Sequence, residues 1–66
     1  MSGRNQLVGR IQAVKVNGSL AQVTLSIDGQ RITSIITADA ALEMRLKVGQ
    51  TAAALVKATE VMIVLP

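Results

Sequence analysis

The 66-residue sequence contains no Cys, no His and no Phe, Tyr or Trp, and only one Pro. Each absence excludes something. Without Cys there is no disulfide and no thiolate ligand. Without His the commonest transition-metal ligand and the one side chain that titrates near neutrality are missing. Without aromatics the core must be built from Val, Ile, Leu, Ala and Met, forgoing the roughly 150–250 Å² that each aromatic buries. There is no apolar run long enough to span a bilayer and no leader-like h-region at the N-terminus, so the expectation is a cytoplasmic protein with no membrane partner.

A chain of this length makes one domain, residues 1–66, and such a domain is marginal without a staple. With disulfides excluded and no cluster of metal ligands, oligomerisation is the staple that remains. Acids are also scarce. Four Asp/Glu stand against seven Lys/Arg, a net charge of +3, which an oligomer multiplies into a field that attracts anions. The basic residues are scattered along the chain, so neither a nucleic-acid-binding tail nor a nucleic-acid partner is expected.

The few acids argue against catalysis. Asp28 reads as a turn residue, Asp39 as a helix-start residue and Glu43 as part of a solvated helix face. No carboxylate pair and no imidazole is available for general acid–base work. Lys57 near Thr59 is the only candidate base–nucleophile pair, with nothing to support it, so no enzyme is expected. Hard cations want clustered carboxylates and soft ones want Cys or His, so a cationic metal site is not expected either.

The apolar pattern is that of strands. Leu7 to Val16 alternates, then changes parity, as a bulge near Ala13 would produce. Asn17-Gly18 signals a tight turn, Leu20 to Ile27 alternates cleanly, Asp28-Gly29 signals a second hairpin, and Gln30 to Ile36 reads as the return strand. Across Thr37 to Leu46 the period shifts to that of a helix, with Thr37 as N-cap and Asp39 near the positive dipole end. After Gly49, two further strands are expected over Thr51 to Lys57 and Glu60 to Leu65. The expected fold is all-β with one short helix, a five-stranded OB-like barrel.

What chemistry remains favours an anion. A proton-free tetrahedral oxyanion only accepts hydrogen bonds, so a site for it is made of hydroxyls, backbone N–H groups, Lys and Arg. Ser2, Arg4, Asn5, Thr37, Lys57 and Thr59 are of these types, and Thr37-Ala38-Asp39-Ala40 would add a helix start. Each also has an ordinary reading: a solvated terminus for Ser2 and Arg4, a plain cap for Thr37, an exposed strand end for Lys57.

Three segments resemble a known family. Ser2-Gly3-Arg4-Asn5-Gln6-Leu7 followed by Gly9, then Ile32-Thr33-Ser34-Ile35-Ile36-Thr37, then Val56-Lys57-Ala58-Thr59-Glu60-Val61-Met62-Ile63 resemble, in order and at fitting separations, the molbindins. These are Mop-type molybdate- and tungstate-binding proteins of the TOBE/Mop domain family. The resemblance implies an OB-like barrel, an intimate dimer that exchanges or shares strands, and a homohexamer built as a trimer of dimers. It also implies oxyanion sites between subunits, with donors from Ser2, Arg4, Thr37 and Ala40 and from Lys57 and Ala58 of a neighbouring chain, and with Asn5 and Thr59 as further site residues. At the last helix-start position and after the Lys the family often has Ser, whereas this chain has Ala40 and Ala58, so two hydroxyls are replaced by backbone N–H alone. The implied function is reversible storage of molybdate or tungstate, with no catalytic cofactor. Two other readings stay open: an oligomeric interaction module without ligand, and a nucleic-acid-binding OB module, which the absence of stacking aromatics weakens.

Overall fold

The structure, a computed structural model, describes residues 4–66. Four strands and one helix follow in the order β1 (Arg4–Asn17), β2 (Leu20–Ile27), β3 (Gln30–Thr37), α1 (Ala38–Glu43) and β4 (Thr51–Lys57). All pairs are antiparallel, and the sheet order is β3-β2-β1-β4.

Strand β1 serves two partners. Its first half pairs with β4, from Arg4↔Lys57 to Arg10↔Thr51, and its second half pairs with β2, from Arg10↔Ser26 to Asn17↔Leu20. The register shifts between Ile11 and Ala13, so the bulge expected from the parity change is there. It lets Ile11 and Val14 face the same interior although they are three positions apart, an odd spacing that would otherwise put them on opposite faces. At the crossing point β1 carries Gly9. A Cβ there would collide with the Ser26 carbonyl oxygen and stand 2.6 Å from Ile27 Cγ1. Only glycine admits this approach of β1 to the end of β2.

The two hairpins differ in how they turn. Asp28 and Gly29 both have positive φ, as a type I′ loop requires. The first turn sits one residue later than the Asn-Gly signal implies. Asn17 pairs with Leu20, so Gly18 and Ser19 form the loop, with Gly18 at φ +63°. Helix α1 is shorter than its periodicity implies. It closes with the Arg45 N–H on Leu42 O and the Leu46 N–H on Ala41 O, a Schellman pattern that puts Arg45 at φ +53°. Arg45 and Lys47 therefore lie beyond the helix and not in its last turn.

The expected fifth strand over 60–65 is not formed, and the sheet does not close into a five-stranded barrel. Ala58–Glu60 make a single 3-10 turn, and residues 61–66 have no regular structure. The physical reason lies in the partners. Strands β3 and β4 are the two edges of the sheet, and residues 61–66 add to neither edge of their own chain. The core is correspondingly thin: Ile11, Ala21, Val23, Leu25 and Ala41 are the buried apolar residues. An apolar trough of about 300 Å³ stays open beside it, lined in part by Ile11, Val23, Leu25, Ile36, Leu46 and Ala54.

Candidate functional site

The register brings two of the expected donors directly together. Arg4 opens β1 and Lys57 closes β4, and they are cross-strand partners. Residues so paired point to the same face, with Cβ atoms about 4.5–5.5 Å apart. Like charges in that position repel, so this pairing costs stability unless an anion sits between them. Among the described residues the side-chain hydrogen bonds are Arg10 to Gly49 O, Ala40 N–H to Thr37 Oγ1 and Lys47 N–H to Gln50 Oε1, and none engages Arg4 or Lys57. Both cations are exposed, and no partner among the described residues occupies their donors.

The neighbours of this pair fit a close approach. Asn5 sits one residue along β1, opposite Val56. Ala58 and Thr59 begin the 3-10 turn directly after Lys57, whose side chain makes no capping bond. The small Ala58 leaves the turn backbone accessible. Ser2, the remaining expected donor of this group, lies outside the described residues.

Thr37 and Ala40 form a second group elsewhere. Thr37 ends β3 and pairs with Leu20, which in turn pairs with Asn17 at the far end of β1 from Arg4. Thr37 caps α1 as expected: its Oγ1 accepts from the Ala40 N–H at 3.0 Å. That bond uses the Ala40 donor internally and leaves the Thr37 hydroxyl hydrogen for another acceptor. The Ala38 N–H is also engaged, on Ser19 O at 2.8 Å. Two donor groups expected in one kind of site thus stand at opposite ends of β1.

The surface beside Arg4 and Lys57 is apolar. On the same face, the next rows along β1 and β4 are Gln6–Leu55 and Val8–Ala53, with Leu55 and Val8 each about 60% exposed. Sequence reading identified the two cations but not this setting, which depends on the β1–β4 register. The signal was present in outline, since Val8 and Leu55 break the polar side of their strands.

This geometry can be set beside known proteins. The family model described as the TOBE domain matches residues 1–63. The chain belongs to the TOBE domain family. Its similarity extends over nearly the whole length of small Mop-type members. Molybdenum-pterin-binding protein 2 of Clostridium pasteurianum is 44% identical over 64 residues, 96% of this chain and 94% of that protein. Among solved structures, MopII from Clostridium pasteurianum superposes with a TM-score of 0.90 at 42% identity, covering 98% of both chains. A molybdate-binding protein from Sporomusa ovata gives 0.91 at 29% identity, covering 98% of this chain and 97% of that one. In this TOBE domain the cation pair joins the first and last of the three motifs, which lie more than fifty positions apart in sequence.

Proposed function

We propose that this TOBE domain binds molybdate, or tungstate, reversibly and without chemistry, as a cytoplasmic store. The observation that carries the proposal is the direct opposition of Arg4 and Lys57 on neighbouring strands. A dianion relieves their repulsion and accepts their hydrogen bonds, while the accessible turn at Ala58-Thr59 adds backbone and hydroxyl donors. The molybdate-binding protein of Sporomusa ovata, whose fold this chain shares, supports the choice of anion.

The site is completed by other copies of the chain. Arg4 and Lys57 adjoin exposed Val8 and Leu55, and a subunit covering these residues would desolvate the cations and strengthen their hold on an anion. At the other end of β1 the Thr37 hydroxyl hydrogen serves a neighbour's site, while the Ala40 N–H stays engaged within its own chain. Residues 61–65, exposed and apolar, pair with an edge strand of another copy. Exchange of this segment within dimers, and association of dimers into a homohexamer, bury what the isolated chain leaves open.

Selectivity follows from an all-donor site. Phosphate near neutral pH carries a proton that finds no acceptor there, a penalty of about 1–3 kcal/mol. Molybdate and tungstate carry none. Calorimetric titration with molybdate, tungstate, sulfate and phosphate tests the proposal. Binding of the first two with phosphate at least tenfold weaker is expected. Equal binding of phosphate and molybdate would refute the all-donor site. No heat with any anion would favour a ligand-free interaction module, a reading to which the Thr37–Ala40 bond and the missing hydroxyl at Ala58 lend some weight.

A further inference from the structure

Three basic residues that are scattered in the sequence are gathered by the sheet. Arg10 pairs with Ser26 and Ser26 with Arg31, so the three form one row across β1, β2 and β3 on the outward face. The next row is Ala13, Thr24 and Thr33, and the one after it is Lys15, Gln22 and Ile35. All of these but Ile35 line an open groove of about 980 Å³ that also includes Gln12 and Val48. Arg10 and Arg31 stand two strands apart, about 10 Å, and Lys15 lies two rows on, about 13 Å. No Asp or Glu is among the residues lining the groove, so its charge is of one sign. It is distinct from the Arg4–Lys57 pair, because the Val8–Ala53 and Gln6–Leu55 rows intervene.

We propose that this face binds the phosphodiester backbone of single-stranded nucleic acid without sequence preference. Shape and chemistry select that occupant. Sites for small molecules are enclosed and mainly apolar, whereas this groove is open and lined by charged, amide and hydroxyl groups about as much as by apolar ones. Along β2, Ser26, Thr24 and Gln22 recur every second residue, about 7 Å apart, comparable with the span of one extended nucleotide. Hydroxyl and amide donors between cations are the usual contacts to phosphate oxygens. Where nucleic-acid-binding barrels stack bases on aromatics, this groove has only aliphatic side chains such as Val48 for apolar contact. Binding is therefore held by charge, and its signature is salt dependence. This inference does not rest on the molybdate site.

The test is fluorescence anisotropy of a labelled oligothymidylate, about 16 nucleotides long, titrated with the intact protein over a salt series. Three phosphate contacts per chain predict a slope of log K against log salt of about −2. Lys15→Gln with Arg31→Gln should bring the slope to about −0.7 and weaken binding at least tenfold at low salt. Molybdate titration and assembly mass should be unchanged in that variant, which establishes that it is folded. The charge-retaining pair Lys15→Arg with Arg31→Lys should restore the parent slope. No binding at low salt, or the parent slope in the Gln variant, would overturn the proposal. So would displacement by polyglutamate as readily as by unlabelled oligothymidylate, since the face would then accept any polyanion, an acidic protein included.

Discussion

Strand β2 and the C-terminal segment 61–65 both carry strand-forming aliphatic residues and meet opposite fates. In β2, Ala21, Val23 and Leu25 are among the most buried side chains of the domain. In Val61-Met62-Ile63-Val64-Leu65, exposure runs from 46% at Val61 to 92% at Leu65. Apolar content alone does not account for this difference. Leu20 to Ile27 alternates apolar with polar residues and is flanked by two short turns that deliver it a partner on each side. Residues 61–65 are apolar on both faces, like a strand meant to be covered twice, and no turn folds them back. The contrast teaches that the chain encodes more sheet than it can satisfy alone.

The largest expected effect breaks this comparison directly. Removing residues 61–66 should leave the four-stranded sheet without its means of association. Burying two large apolar side chains is worth about 3–6 kcal/mol, comparable with the whole stability expected for so small a domain. Sedimentation velocity with interference optics, needed because the chain has no Trp or Tyr, should show loss of the proposed hexamer. A truncated protein that still sediments as six chains would show that the segment is a passive tail. Milder and more local, Gly9→Ala forces a methyl into the Ser26 carbonyl and Ile27. Overpacking of this kind costs about 1–3 kcal/mol, so the circular-dichroism melting temperature should fall by several degrees. An unchanged melt would mean that β1 and β2 can separate at their crossing without loss.

Lys57→Ala probes the chemistry at the other end of the same sheet. Loss of a charge-assisted bond worth about 1.5–3 kcal/mol should weaken molybdate binding at least tenfold, with assembly intact. Arg31→Ala, in the outward groove, should change it little beyond a screened long-range effect. Equal affinity in both variants and the parent would make Lys57 an ordinary surface residue. The smallest effect is expected at Arg45. Its φ of +53° suits glycine better, so Arg45→Gly should leave stability within about 1 kcal/mol of the parent or raise it slightly. A clear loss would show that the Arg45 side chain holds the loop after α1.

Much of this fold was legible in the sequence, and the reasons are local. The parity change at Ala13, the Asp28-Gly29 turn and the Thr37 cap are decided by residues close in sequence. The fifth strand and barrel closure were misread because strand-like composition does not say which edge, or whose, will receive it. At the site, residue types singled out Arg4 and Lys57, but their direct opposition depends on how β1 divides itself between β4 and β2. The same register gathers Arg10, Lys15 and Arg31, which look unrelated along the chain. The bond between Thr37 and Ala40 was half-seen: the cap was expected, but not that it would consume a donor counted for the anion.

The central claim is that the anion site exists only between chains. Native mass spectrometry of the molybdate-saturated protein tests it most directly, since it reads assembly and ligand together. The account predicts molybdate on a species of six 6.9 kDa chains and bare protein in any monomer present. A monomer that carries molybdate would contradict it.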